Sequence, residues 1–416
     1  MVSTSGRKLR IGHLADLHIG SSYHLGDEDA GGVNFRLRDF ESACLRACDG
    51  MIAAKVDLCV IAGDIFDNPK PTPTEIAVFL RMLDRLQDYE ITVVMTQGNH
   101  ESPRQVGRKN AVEMFDDREF YESGRGNVLV VGRPEVVEAH GVAVACLPYP
   151  MRAHVAANDP EFAKLTIDEQ NERIVELSLK TLHMLGAKAE QKKTTFGSVL
   201  VAHGAISGSK VAHTETRFFR EPVIPLSELQ GLPFRCQCWG HLHMPQVLSP
   251  GIAYSGSIEA CDFSEGTHKH GWWLITLDEN TDFDEMEFQE VETRPLVDVD
   301  LAEWGGADWR CAVENVIAKN EIAGSIVRVK YKATLDIRKT IDDGEIKRAL
   351  LDAGAVKVHG PIVETIHTAS ERTNTVTEED DMQTAWQQFL VLQGVDGPRA
   401  TRLTEKVLKA MEVVNA

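Results

Sequence analysis

The feature that most restricts the fold is an alternation running through the first 275 residues, where short apolar runs give way repeatedly to stretches with apolar residues at helical spacing. Leu9-Arg10-Ile11-Gly12-His13-Leu14 opens it as a strand. Residues 35–54 follow as a helix, with Phe35, Phe40, Cys44, Cys48 and Met51 on one face and Asn34 as its cap. Leu58-Cys59-Val60-Ile61 reads as the next strand, a helix opened by Thr74 then buries Ile76, Phe79, Leu80, Leu83 and Leu86, and Thr92-Val93-Val94-Met95 returns to strand. Further strands are predicted at 128–131, 142–147, 199–201, 236–239 and 272–277. Such alternation predicts a layered α/β domain whose ligands lie at the carboxyl ends of the strands.

A smaller β-α-β unit is expected next, with strands at 326–331 and 356–366 around a helix at 344–353. Two amphipathic helices are expected beyond it, one opened by Thr377 and Asp380 and carrying Met382, Trp386, Phe389 and Leu390, the other carrying Leu403, Val407, Leu408 and Met411. They either fold back on the body or bind a partner. The charge of −19 is uneven: residues 1–275 carry 28 basic and 35 acidic residues, and the remainder 16 and 28. Two acidic runs, 278–290 and Glu378-Glu379-Asp380-Asp381, read as solvated linkers or helix starts. An acidic balance does not exclude a nucleic-acid enzyme, because bound cations and a local basic rim can supply the positive field. No run approaches the roughly 20 apolar residues of a membrane span, and the polar N-terminus lacks a signal-like apolar run. Together with eight cysteines that form no Cys-x-x-Cys pair, this leads us to expect a cytoplasmic chain with reduced thiols.

Five short motifs, each at the end of a predicted strand, carry oxygen and nitrogen groups of the kind divalent metals use. They are Asp16-x-His18, Gly63-Asp64, Gly98-Asn99-His100-Glu101, His203-Gly204 and Gly240-His241-Leu242-His243. On extended backbone Asp16 and His18 would share one face, as would His241 and His243, so each pair can grip one ion. Asp64 has two oxygens with which to bridge two ions, Asn99 offers an amide oxygen and His203 an imidazole. Seven ligands exceed one tetrahedral zinc and suit two ions about 3.5–4 Å apart, the arrangement that stabilises attacking and leaving oxygens in phosphoryl displacement. Manganese, iron and zinc all remain compatible with this donor set. His100 is the candidate proton donor or transition-state stabiliser, and Glu101 would hold its tautomer and orientation. His13 reads as a core histidine, while His24 and His213 lie near motif loops and are candidates to touch substrate.

These motifs, in this order, resemble the signature of the calcineurin-like metallophosphoesterases over residues 8–275. Their wording is similar to that of the SbcD-type nuclease subunits of double-strand-break repair, in His13-Leu14-Ala15-Asp16-Leu17-His18-Ile19-Gly20, Ala62-Gly63-Asp64-Ile65-Phe66-Asp67, His203-Gly204-Ala205-Ile206-Ser207-Gly208 and Trp239-Gly240-His241-Leu242-His243. The resemblance implies a two-layered β-sandwich core flanked by helices over 1–290, a small α+β cap domain that selects DNA ends over 293–370, and C-terminal helices over 371–416 that bind an SbcC-type coiled-coil ATPase. It implies that Asp16, His18, Asp64 and His243 hold one ion and that Asp64, Asn99, His203 and His241 hold the other, with manganese favoured. It also implies hydrolysis of DNA phosphodiesters by exonuclease and endonuclease action, His100 assisting the leaving oxygen, and a homodimer through the helix of residues 74–86.

Glu101 stands where this nuclease family has Asp, which lengthens the arm. Asp67-Asn68-Pro69 departs from the protein phosphatases of the superfamily, which place Arg-Gly after that aspartate. DNA phosphates would have to be met by groups such as Arg36, Arg38, Arg104, Arg108 and Lys109. Hydrolysis of a small phosphate ester, or a non-catalytic scaffold for the ATPase, are the alternatives.

Overall fold

The computed structural model describes residues 6–102, 110–116, 128–211, 221–281, 285–301 and 309–366, together with Trp386, Leu390, 400–404, 406 and 407. Strand β1 (Lys8–Leu14) pairs in parallel with β2 (Leu58–Ala62), which continues into β3 (Thr92–Thr96) and β4 (Val128–Val131). On the other side of β1 the antiparallel strands β13 (Gly271–Asp278) and β14 (Glu285–Glu290) complete six strands in the order β14-β13-β1-β2-β3-β4. Helices α1 (Phe35–Ala53) and α2 (Pro73–Gln87) cover one face of this sheet. Asn34 caps α1 as expected. The second helix begins at Pro73, with Thr72 and Glu75 forming a reciprocal capping box, rather than at Thr74. A proline at the first helical position lacks only an N–H that would have had no partner there, so the start falls one residue earlier. The register places Val78 and Met82 in the core and leaves Leu80 exposed, contrary to expectation.

A second six-stranded sheet has the order β11-β12-β10-β7-β6-β5, from β5 (Glu135–Ala139), β6 (Val142–Leu147), β7 (Ser198–His203), β10 (Cys236–Gly240), β11 (Gln246–Ser249) and β12 (Ile252–Tyr254). Its inner face, with Val144, Val201 and Cys238, interdigitates with Ile11, Val60 and Val94 of the first sheet in one buried apolar cluster. Its outer face is covered by a 25-residue helix that we number α4 (Ile167–Gln191), which follows α3 (Arg152–Asn158). The β-sandwich flanked by helices is therefore present. No disulfide forms among the eight cysteines.

The acidic run at 278–290 is not a linker over its described second half. Glu285, Glu287 and Gln289 alternate with the half-buried Met286 and Phe288, a two-residue period that makes an edge strand with a charged outer face. The smaller unit is larger than β-α-β: β15 (Leu296–Asp300), β16 (Ile326–Ala333) and β17 (Lys357–Thr365) form a parallel sheet. Helices at Trp309–Lys319 and Asp343–Asp352 cover one of its faces, around Val299, Val329, Tyr331 and Leu350. Most of the C-terminal helical stretch, including the run Glu378–Asp381, lies outside the described residues. Within what is described, the Trp386 indole N–H donates to Thr404 Oγ1 at 3.1 Å, which brings the two C-terminal stretches together. Among the described residues no helix is long and apolar enough to cross a membrane.

Candidate metal centre

All seven predicted ligands lie where strands β1, β2, β3, β7 and β10 end, so the carboxyl edges of both sheets converge on one point. The loops that carry them are laced by backbone hydrogen bonds: Asp16 N–H donates to Gly63 O and His18 N–H to Asp64 O, each at 3.0 Å. The expected extended backbone is not what aims these side chains. Asp16, His18 and Asp64 have φ of 51°, 42° and 51°, and His241 has 111°, all in the region that L-residues seldom adopt. Such conformations cost about 1–3 kcal/mol each and persist only where the surroundings impose them. Here the imposition is visible, because His241 N–H donates to both carboxylate oxygens of Asp16 at 3.0 Å.

The glycines of the motifs serve close approach. A Cβ on Gly98 would lie 2.5 Å from the Asp64 amide nitrogen, and one on Gly240 would lie 2.9 Å from His203 Nδ1.

Six of the candidate ligands fall in two of the four groups of potential ligand atoms that lie within 4.8 Å among the described residues, Asp16, His18 and His243 in one and Asp64, His203 and His241 in the other; His18-Asp67-His100 and His243-Cys261-Glu265 are the remaining two. Asn99 joins the Asp64 group, its amide oxygen 3.0 Å from both His203 Nε2 and His241 Nδ1. His203 donates from Nδ1 to the Ala62 carbonyl at 2.7 Å, so its Nε2, the Asn99 oxygen and an Asp64 oxygen 3.2 Å away are three acceptors turned on one point. A cation satisfies them. Without one a proton does so, and although burial opposes it, the Asp64 carboxylate pushes the His203 pKa up to about 9. Burial likewise works against Asp64, yet His203, His100 and His18 hold it well below the usual carboxylate range. On the other side His18 is buried with neither ring nitrogen hydrogen-bonded, its Nε2 3.8 Å from Asp64. An orphaned imidazole beside carboxylates is what a metal ligand looks like before the ion arrives. The donor set therefore fits a pair of divalent ions.

His100 donates its backbone N–H to Asp64 at 2.9 Å and its ring Nδ1 lies 2.7 Å from the Asp67 carbonyl, which can only accept. Burial lowers the His100 pKa, but Asp64 and Asp67 outweigh it and the net shift is upward. Glu101 does not orient this ring as expected. Its carboxylate accepts backbone N–H groups from Ile65, Phe66 and Gly98, with the last two at 3.0 Å. It thus braces the Asp64 loop, and burial together with the Asp64 charge pushes its pKa up to about 7. The longer Glu arm is what reaches across to that loop.

Outside the predicted set, two acids hold histidines and a third stands beside one. Asp67 lies 3.4 Å from His18 Nδ1, Glu221 accepts from His241 Nε2 at 2.6 Å, and Glu265 accepts from His243 Nδ1 at 2.7 Å. Carboxylates behind imidazole ligands fix the tautomer and raise basicity. Asp67 was readable from its place three residues after Asp64; Glu221 and Glu265 carry no sequence signal in so acidic a chain.

Arg36 is fully buried against Asp39, Glu259 and the Ala260 carbonyl, so it cannot meet a phosphate. Arg38 is exposed and paired with Asp29 at 2.6 Å. Arg104, Arg108, Lys109 and His213 lie outside the described residues, and His24 is exposed on a short turn. His13 is fully buried, which lowers its pKa to about 3.

The chain is 24% identical to the SbcD component of the SbcCD nuclease of Staphylococcus epidermidis over 297 residues, 71% of this chain and 72% of that protein. It is 24% identical to the DNA double-strand break repair protein Mre11 of Methanopyrus kandleri over 420 residues, 95% of this chain and 78% of the relative. The Mre11 protein of Archaeoglobus fulgidus is 23% identical over 350 residues, 80% of this chain and 70% of the other. Residues 9–245, which include all seven candidate ligands, match the family model for the calcineurin-like phosphoesterases, and the chain belongs to that family.

Proposed function

We propose that this phosphoesterase is a dinuclear metal-dependent DNA nuclease, acting as an exonuclease on duplex ends and as an endonuclease, in partnership with an SbcC-type coiled-coil ATPase. The observation that carries the reading is the convergence of two buried ligand groups, Asp16-His18-His243 and Asp64-His203-His241, on the shared Asp64 loop. Similarity to a nuclease subunit and to a DNA double-strand break repair protein supports DNA as the substrate among those open to the family.

Asp16, His18, Asp64 and His243 would hold one ion and Asp64, Asn99, His203 and His241 the other, manganese in both. When bound, such a pair supplies positive charge to the attacking and leaving oxygens of an in-line displacement. The chain's own part is positioning and proton transfer. With Nδ1–H fixed on the Asp67 carbonyl, His100 keeps Nε2 for a proton to hand to the departing oxygen. Glu221 and Glu265 hold the imidazoles of His241 and His243 in place, and the Asp67 carboxylate stands beside that of His18. Residues 293–370 would select DNA ends and 371–416 would bind the ATPase. The exposed Leu80, on α2, suits that helix to a homodimer contact.

The test is manganese-dependent digestion of an end-labelled duplex by the purified chain beside His100→Ala. The expected outcome is cleavage by the wild type and a loss of about 10²–10⁴-fold in the variant, with its metal content unchanged. Absence of cleavage by the wild type, with and without an ATPase partner, would sink the nuclease reading and direct attention to small phosphate esters.

A further inference from the structure

Beside the metal centre lies a cleft of about 680 Å³ that none of the seven ligands enters. It opens between the carboxyl ends of β3, β4 and β6 and the helices α3 and α4, and Leu147, Pro148, Met151, Val155, Ile174 and Leu177 make its walls apolar. Its size falls in the range of small-molecule sites, roughly 300–1,000 Å³.

Tyr149 is the partition between cleft and centre. It lines the cleft, and its ring centroid lies 5.7 Å from that of His241 at an interplanar angle of 33°, and 6.0 Å from that of His203. Its backbone N–H donates to the Gln97 carbonyl at 3.0 Å, which ties it to the strand end that continues into Gly98-Asn99-His100. A group seated against Tyr149 in the cleft is thus one short linkage away from whatever occupies the metal centre.

The lining prescribes the chemistry of that group. The walls suit two apolar faces of a flat ring, and Ser178 and the Gln97 side-chain oxygen add hydrogen-bonding groups to the lining, whereas Gln97 Nε2 already donates to Glu113 at 3.1 Å and Ser102 Oγ to the Gly98 carbonyl at 2.7 Å. At the mouth stands Arg133, exposed and in no ion pair among the described residues. The other cation there, Arg173, is already balanced by Glu176 at 2.7 Å and Asp159 at 3.6 Å. A flat ring with a polar edge, joined through a sugar to a phosphate, is a nucleotide. Enzymes that need a base out of its stack pay a few kcal/mol to unpair it, least at frayed or single-stranded positions, and recover it by stacking.

We propose that this cleft receives an unpaired nucleobase of the strand being cut, next to the scissile phosphate, so that cleavage favours frayed or single-stranded positions. The inference rests on the nuclease reading. Its test compares the wild type with Leu177→Trp, which fills the cleft from α4, on a labelled single-stranded oligonucleotide and on versions made abasic at one position at a time. Binding is read by fluorescence anisotropy without metal, and cleavage with manganese. In the wild type, one abasic position should weaken binding and slow cleavage about tenfold, within the range of one base stacked on an aromatic ring. Leu177→Trp should weaken the intact oligonucleotide by the same factor and treat that abasic version as the wild type does. Thr181→Trp, from the same wall, repeats the test should the first variant fold poorly. If every abasic version and both variants match the intact wild-type reaction while DNA is still cut, the cleft inference is overturned and the nuclease reading stands. If the wild type neither binds nor cuts any of them, the nuclease reading fails first and takes this inference with it.

Discussion

Gly98 marks how little room the centre leaves. The loops of Asp64 and Asn99 approach until a single methyl group at residue 98 would press on the Asp64 backbone at 2.5 Å and its carboxyl carbon at 2.6 Å. Neither loop can retreat freely, since Glu101 ties the Gly98, Ile65 and Phe66 amides together. Gly98→Ala should therefore lower manganese affinity by about 10–100-fold, as displaced ligand supports do, and lower the melting temperature as well. Calorimetric titration with manganese checks this, and wild-type affinity would show that the loops can move apart. The candidate ligands and their convergence were legible in the sequence because their residue types and order are unusual. Their backbone conformation was not: the two-residue spacing of Asp16 and His18 suggested a strand, whereas both are left-handed turns imposed by their own N–H bonds to Gly63 O and Asp64 O and by the His241 N–H that Asp16 accepts. Partners that arrive from elsewhere in the chain, such as Glu221 and Glu265, were hidden for the same reason, because only the fold brings them near.

Elements were legible in proportion to how purely one period ran through them. The α1 helix and the parallel strands of the first sheet appear where expected, since their apolar spacing is unbroken. Strand β14 was masked by its charge, because only Met286 and Phe288 carry its two-residue apolar period among acidic neighbours. At α2 the helical period was right, but the buried face took Val78 and Met82 in place of Leu80 and the start lay one residue earlier, a difference that is measurable. Thr72 accepts the Glu75 N–H at 3.3 Å while Glu75 returns a bond to the Thr72 N–H at 2.7 Å. Thr72→Ala should cost about 1 kcal/mol in urea unfolding, the usual worth of an N-cap. Thr74→Ala, at the predicted but unused start, should cost less than half of that. A larger loss at Thr74 would place the cap where the sequence suggested it.

At the scale of the whole molecule, the small parallel sheet is fastened to the sandwich by a buried joint. Arg294 grips both oxygens of Asp39 at 2.7 Å and donates to the Gly324 carbonyl at 2.7 Å, while Arg36 donates to Asp39 at 2.8 Å. Glu259 closes the joint from the loop after β12, accepting from Arg36 at 3.4 Å and from the Arg294 backbone at 3.3 Å. Leu25, Phe263, Leu296 and Ile326 seal it with apolar surface. Burial pushes the Glu259 pKa up to about 7, against the pull of Arg36. A carboxyl whose folded pKa lies above its unfolded value of about 4.5 binds its proton more tightly when folded. Its contribution to stability is thus complete below about pH 4.5 and is lost as pH rises through about 7. Relative to Glu259→Gln, which stays neutral at all pH, the wild type should lose roughly 3 kcal/mol between those limits and then level off. Urea unfolding of both proteins from pH 4.5 to 8 reads this difference directly. A difference that stays flat would mean that Arg36 and Arg294 keep Glu259 ionised throughout, making the joint a permanent ion cluster. In either case the loop under test also carries Glu265, the partner of His243, so the joint that seats the small sheet and the brace of a candidate metal ligand belong to one stretch of chain.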